Sequence, residues 1–527
     1  MQCSSLARFV RSYISRGQPG DALAEYRVAR RNGAYFLDAV PSLLKACAAL
    51  SVLDHGRALH AESIKAGAAG DRMVENSLVL MYARCADLGR ARRVFDEMPE
   101  PNVVSWNAMI GGYLRNGDTE SASALFEVVP DRTAITWVEM IDGFARSGDT
   151  ASARRLFNRV PSELRTVVTW TVMVDGYARN GEMARAREVF EAMPRRNSFV
   201  WSSMVSGYFR AGELAEGRAV FDRIPGRDVV SWNALISGLA HNGLCEEAME
   251  AFAGMQREGF VPNEFTAVGV LSACSQLGLL DAGERIHRLV KDNRIKPTQL
   301  VLNALVNMYA KCGDLASARA VFESLPVRNC ACWNAMISGL AAHGAGREAL
   351  ELFRRMEGSG ERPDAVTFVA VLSGCAHEGL LREGVEVYAR MESRHGVVAG
   401  VKHYGCLVDL LGRVGRLGEA YELVRAMPLE PNWAVWGALL AACRIHMDMA
   451  VAKRILEEVR APQEGLGGDP GEGGSRFVLV SNIYAAGDGW EKAERMRVAM
   501  VDKGVQKMPG CSSVLVGGTE HRFYSNV

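Results

Sequence analysis

The chain has 527 residues, 48% hydrophobic and 23% charged, a composition that excludes a largely disordered polypeptide. Lys plus Arg and Asp plus Glu both number 61, so no net field draws the whole surface to nucleic acid, although a local basic groove stays open. No run approaches the roughly 18 apolar residues that a membrane span needs, and no linker-like stretch precedes residue 461, which predicts one continuous architecture without a membrane partner.

The first twenty residues hold Arg8, Arg11 and Arg16, four serines and no acid, the composition of an organellar transit peptide. The same segment aligns with the first helix of a repeat, and both readings stay open. Further along, Trp106, Trp137, Trp170, Trp201 and Trp232 stand 31, 33, 31 and 31 residues apart, a periodicity that marks a tandem array. Thirteen units of 31 to 36 residues follow, starting at Cys3, Leu37, Arg72, Val103, Ala134, Val167, Ser198, Val229, Glu264, Gln299, Cys330, Ala365 and Val401. Each reads as VVSWNAMIGGYLRNGDTESASALFEVVPDR does: an apolar-periodic helix, a glycine turn, a second periodic helix and a proline turn. Glycine supplies the left-handed residue that ends the first helix, the Asp or Glu after it suits the N-terminus of the second, and Met-Pro or Val-Pro stops that one. Tryptophan, Ile or Met and Tyr of the first helix are core residues expected to pack on Ala, Val and Phe of the second. One hairpin cannot bury its apolar face, so neighbours stack into an all-α solenoid whose first helices line a concave surface. The array ends at residue 432. Two degenerate hairpins follow, 433–460 and 477–503, separated by a Gly-rich flexible insertion at 461–476 and trailed by a short tail to Val527.

Twelve cysteines might suggest a disulfide framework, but Cys47, Cys274 and Cys375 fall at one point of the repeat and Cys85 and Cys312 at another. Recurrence makes them small core residues of a reduced compartment.

Period alone leaves several helical-repeat families open; the residue signature narrows them. VVSWNAMIGGY, VVSWNALISG and CACWNAMISG, with MYARC, MYAKCGD, LLKAC, LSAC and LSGC, resemble the plant pentatricopeptide repeat family in its subclass mixing standard, long and short motifs. HYGCLVDLLGRVGRLGEAYELVRAMPLEPN, WAVWGALLAACRIH and FVLVSNIYAAGDGWEKAERMRVAMVDKGVQKMPGCSS resemble its terminal motifs and E-type extension. The resemblance implies a right-handed superhelical solenoid that binds single-stranded organellar RNA in a mitochondrion or plastid, one base per repeat, so as to position a cytidine for deamination to uridine.

Single-stranded bases expose their Watson–Crick edges, and a helical repeat can offer one or two polar side chains to each. In the family these are the fifth and last residues of a unit. Here they pair Asn76 with Asn102, Asn107 with Thr133, Thr171 with Asn197, Ser202 with Asp228, Asn233 with Asn263, Asn303 with Asn329, and Asn334 with Asp364. By resemblance these favour C, a pyrimidine, A, G, C, C and U. Val138, Val268, Val369 and Gly405 leave four units nearly silent, and the first two are unassigned, so the expected RNA is C-Y-n-A-G-C-n-C-U-n-n, 5′ to 3′. Val104, Ile135, Val168, Phe199 and Val230, at the second position, are placed either to sandwich bases or to pack between repeats.

A zinc-dependent deaminase needs a His-x-Glu followed by a Cys-x-x-Cys. His60-Ala61-Glu62 is present, with His287 at the equivalent place of a later long unit, but no Cys-x-x-Cys follows; Cys330 and Cys332 form only a Cys-x-Cys. The expectation is therefore no catalytic residue, no metal and no cofactor. A deaminase of the DYW type would act in trans, recruited by the E-type hairpins, and small proteins of the multiple organellar RNA editing factor family would dock on the long units at 264 and 365.

Overall fold

The computed structural model describes residues 3–15, 19–31, 37–68, 70–325, 327–458, 473–487, 489–502, 511–516 and 519–524. It divides into two compact bodies, residues 1–261 and 262–527, each a stack of helical hairpins. In every unit but that at Leu37 the first helix opens on the unit's own first residue, as in Arg72–Arg84, Val103–Arg115, Ala134–Arg146, Cys330–Ala342 and Ala365–Glu378. The Leu37 unit inserts a 3-10 turn, Leu37–Ala39, before Val40–Leu50.

The hairpin turn works as the sequence predicts. Gly148 takes φ +87° beyond the first helix, and Asp149 caps Thr150–Arg159 by accepting from the Ser152 amide at 2.9 Å. Where the repeat lacks this glycine, Ala86 is forced to φ +61°, a conformation that an L side chain adopts at a cost.

Packing within the stack is more inter-unit than the sequence suggests. Trp106 does not meet the phenylalanine of its own unit; it stands edge-on to Phe95 of the preceding one. The same T-shaped contact joins Phe126 to Trp137, Phe157 to Trp170, Phe190 to Trp201, Phe221 to Trp232 and Phe322 to Trp333, with centroids 4.7 to 4.9 Å apart. Each such pair contributes about 0.5–1.5 kcal/mol beyond its buried area. The penultimate arginine of a unit completes the joint: Arg328 stacks over Phe322 and donates from Nε to the Phe322 carbonyl at 3.0 Å, adding to the capping Leu325 amide that this carbonyl accepts at 3.3 Å. Arg132 and Arg196 do the same to Phe126 and Phe190.

Adjacent first helices approach closely at a glycine in the tenth position. A Cβ on Gly176 would stand 2.7 Å from the Ala145 Cβ, and one on Gly339 would stand 2.4 Å from the Ala310 Cβ. Asparagine bridges the same helix ends: Asn180 Nδ2 donates to the Ala145 carbonyl at 2.7 Å and to that of Gly176 at 2.8 Å.

Beyond the repeats, Trp433–Ile445, Met449–Glu458, Gly473–Ala486 and Trp490–Asp502 continue the helical pattern. Val435, Leu439, Leu440 and Ile483 share a core with Val408, Leu417, Tyr421 and Val424 of the unit at Val401. The helix opening at Gly473 absorbs four residues read as flexible insertion in the sequence; the insertion's remainder, 461–472, lies outside the described residues. The tail holds an antiparallel strand pair, Cys511–Val516 and Thr519–Tyr524, with Cys511 opposite Tyr524. Sequence periodicity had offered only a short tail there.

Candidate nucleic-acid interface

Position two of the units forms a row of solvent-facing apolar side chains. Met73, Val104, Ile135, Val168, Phe199 and Val230 in the first body, and Phe265, Leu300 and Val366 in the second, are each 49–64% exposed. Of the two roles open to these residues, burial between repeats accounts for only part of each side chain and leaves about half of it facing solvent. Recurrent exposed apolar groups at one register mark a contact surface. Ala331 and Lys402 interrupt the row.

Three residues on, the fifth position lies largely beneath that surface. Asn107 and Asn334 are each 9% exposed, and Thr171 and Ser202 are buried. From Asp71 onward, the last residue of each unit is the N-cap of the next unit's first helix. Asn102 accepts from the Val104 and Ser105 amides at 3.0 Å, Thr133 from Thr136, Asn197 from Val200, and Asp228 from Ser231. Asn263, Asn329 and Asp364 cap their helices likewise. Restriction of this position to Asn, Asp and Thr is thus accounted for by capping alone, and by itself it does not single out base recognition.

The predicted pairs differ in whether their side chains meet. Asn303 Nδ2 donates to Asn329 Oδ1 at 3.2 Å, and Asn334 Nδ2 to Asp364 Oδ1 at 3.0 Å. Thr171 and Ser202 instead turn their hydroxyls onto the carbonyls one helical turn back, Val167 at 2.7 Å and Ser198 at 3.0 Å. The Oδ1 atoms of Asn76 and Asn107 are buried without a hydrogen-bond partner. Asn233 is half-buried in the first body, and Asn263 caps the first helix of the second. Burial opposes the charge on Asp364, but donation from the Thr367 amide and from Asn334 outweighs it and holds the carboxyl below its ordinary range.

One feature of the same helix face went unread in the sequence. Arg84, Arg115, Arg146, Arg179 and Arg210 occupy the thirteenth position of five consecutive units, two turns beyond the fifth. Asp142 pairs with both Arg146 and Arg179, and Asp175 accepts from Arg179 Nε at 2.7 Å, so an ion-paired cluster joins the units at Ala134 and Val167. The signal was available as a 31- to 33-residue recurrence of arginine but was hidden by a net charge of zero.

His60 and His287 are structural. Each Nδ1 lies 2.8 Å from a tyrosine hydroxyl, Tyr82 and Tyr309, with the rings edge-on. Cys330 and Cys332 do not face a common site either; Cys330 lies beside Asn334, and Cys332 donates to Asn303 Oδ1.

Comparison with known proteins decides the family. Models described as PPR repeat match residues 104–131, 135–163, 168–198, 199–229, 301–330, 366–395 and 402–430, the PPR repeat family matches 227–276 and 328–377, the pentatricopeptide repeat domain 255–312, and the E motif 469–515. Pentatricopeptide repeat-containing protein At3g21470 of Arabidopsis thaliana is 47% identical over 515 residues, covering 97% of both chains. The chain belongs to the pentatricopeptide repeat family. Within it, the mixed motifs and the E motif make it a PPR protein of the standard-long-short subclass with an E-type extension. Another PPR relative, the putative protein At3g13770, mitochondrial, of the same plant, is 35% identical over 92% of this chain and 72% of its own; further relatives carry the word chloroplastic in their names. The crystal structure of maize PPR10 superposes with a TM-score of 0.50 at 19% identity, covering 95% of this chain and 74% of that one, and shares the helical-repeat fold.

Proposed function

We propose that this PPR protein binds single-stranded RNA sequence-specifically and serves as a site-recognition factor for organellar C-to-U editing, with the deaminase supplied in trans. The observation that carries the reading is the two-layer register: an exposed apolar residue at position two with a polar residue at position five, repeated in five units of the first body and present as Leu300 with Asn303 in the second. Apolar side chains spaced by one unit offer faces for bases, and base–side-chain stacking tolerates any sequence. The recessed amide or hydroxyl then meets the base edge. Asn334 beside Asp364 offers an amide N–H and a carboxylate acceptor, which complement the O4 and N3–H of uracil. Asn303 beside Asn329 substitutes an amide that can donate to N3 of cytosine. At the ends of the arginine row, Arg84 and Arg210 are exposed and offer guanidinium groups to phosphates, which dominate affinity, whereas Arg146 and Arg179 are already paired with Asp142 and Asp175. The E motif at 469–515 favours editing over transcript stabilisation or splicing, and organelle words in relatives' names favour a mitochondrion or plastid.

Electrophoretic shifts with C-Y-n-A-G-C-n-C-U-n-n and a scrambled oligonucleotide test RNA recognition, and equal binding to both would refute it. RNA sequencing of a knockout tests editing: loss of conversion at a cytidine downstream of a matching sequence is expected, whereas unchanged conversion with altered transcript ends or introns would move the function to processing.

A further inference from the structure

Five units carry asparagine at position five: Asn76, Asn107, Asn233, Asn303 and Asn334. The third residue of the unit that follows is, respectively, Ser105, Thr136, Thr266, Cys332 and Thr367, always a hydroxyl or thiol. After the eight units whose fifth residue is not asparagine, this position holds Ala39, Val74, Thr169, Val200, Ser231, Val301, His403 and Val435. A proton donor of this kind is thus invariable only behind an amide.

The structure supplies the reason. Thr367, fully buried, sets Oγ1 2.6 Å from Asn334 Oδ1 and 2.9 Å from its own cap, Asp364 Oδ1, so the shorter contact takes the larger share of its one hydrogen, while Asn334 Nδ2 donates to Asp364 at 3.0 Å. Turning the Asn334 amide over would set its oxygen against the carboxylate and its NH2 against the hydroxyl, so the arrangement has one sense. Asn303 is held in the same sense: its Oδ1 accepts from the Cys332 thiol and from Gln299 Nε2 at 3.0 Å, and its Nδ2 donates to Asn329. Thr171 and Ser202 need no such neighbour, because each hydroxyl is anchored on its own helix. At Asn76 and Asn107 the hydroxyls of Ser105 and Thr136 are turned onto their own N-caps, Asn102 and Thr133, both at 3.1 Å, and the asparagine oxygen is left without a partner.

We infer that Thr367 and Cys332, each the third residue of its unit, are positioning residues for the base-reading asparagines of the units before them, Asn334 and Asn303, fixing each amide so that its nitrogen faces the base and the last-position partner. The reading unit is then a triad spread over two repeats, Asn334, Asp364 and Thr367 in one case, Asn303, Asn329 and Cys332 in the other. The inference rests on the RNA-recognition reading above. It predicts that a change behind the surface, at a residue with no access to RNA, alters which base is preferred at one position.

The test is Thr367→Val in the full chain, isosteric and without the hydroxyl, with Thr367→Ser as the conservative variant. Binding is measured to the expected RNA with U at its ninth base and to the same RNA carrying C, A or G there. Thr367→Val should lose about tenfold of the preference for U, within the range of a direct base contact, leave preference at the eighth base unchanged, and be rescued by Thr367→Ser. Undiminished preference in Thr367→Val, or an equal fall for all four RNAs, would overturn the inference. A urea-unfolding cycle with Asn334→Ala needs no RNA: the double variant should shift the midpoint no further than the larger single shift, and additive shifts would also overturn the inference. If wild type prefers no base while the cycle shows coupling, RNA recognition fails and the triad stands as a structural device only.

Discussion

Asn334 Nδ2 donates to Asp364 Oδ1 at 3.0 Å, joining the fifth residue of one repeat to the cap of the next helix. Asp364 thereby serves two masters, since the same Oδ1 accepts from the Thr367 amide at 2.9 Å. Asparagine would keep the cap while replacing a carboxylate with an amide. Asp364→Asn should therefore fold with little loss of stability and shift the ninth-base preference from U toward C. Fluorescence anisotropy with the two oligonucleotides checks this, and Asn334→Ala should cost about 1–3 kcal/mol at that base alone.

Phe199 is 56% exposed at the second position, outside the buried core. Phe199→Ala should change stability by within about 0.5 kcal/mol, as surface substitutions do. It should weaken binding by about 1–3 kcal/mol if a base stacks there, irrespective of which base is offered. Paired thermal melts and binding curves separate the two effects; a large drop in melting temperature would return Phe199 to a packing role.

Gly339 lies against Ala310, where an added Cβ would fall 2.4 Å from the Ala310 Cβ. The neighbour is backbone-attached carbon that cannot swing away, so Gly339→Ala forces two first helices apart. We expect a loss of about 1–3 kcal/mol, the usual cost of overpacking. Gly418, with nothing within 4 Å, is the control. Gly418→Ala should be neutral or stabilising by up to about 1 kcal/mol through helix propensity.

Burial pushes the imidazoles of His60 and His287 below their ordinary 6.5, aided by Arg90 and Lys291 respectively and opposed at His60 by Glu97. Between folded and unfolded pKa the unfolded chain holds more protons, so stability rises with pH through that window. Both contributions are complete above pH 6.5 and are lost as the pH falls through the folded-state value. The unfolding midpoint should drop on going from about pH 7 to pH 5, and a His60→Gln, His287→Gln double variant should drop less. Parallel pH profiles would show that neither histidine is held neutral.

Tryptophan spacing and the recurring glycine turn were enough to set the repeat boundaries, because capping, helix termination and 3.6-residue periodicity are local and act within a few residues. Asp149 after Gly148 could be read as a helix start from two adjacent letters. The paired recognition positions were legible only through resemblance, since nothing local distinguishes Asn334 from any polar residue on a helix. Which fifth and last residues meet was beyond sequence reasoning altogether. Asn334 reaches Asp364 while Thr171 folds back onto Val167, although both are polar and equally placed. The difference lies in side-chain length and in what stands behind, and both depend on how closely two repeats stack. The same holds for Trp106 on Phe95, for the Gly339 contact and for the exposure of the second-position row. The sequence by itself determined the hairpins, their caps and their order. Only the tertiary structure decided the seams between units, because those contacts join residues about thirty apart whose distance is a property of the stack and not of either helix.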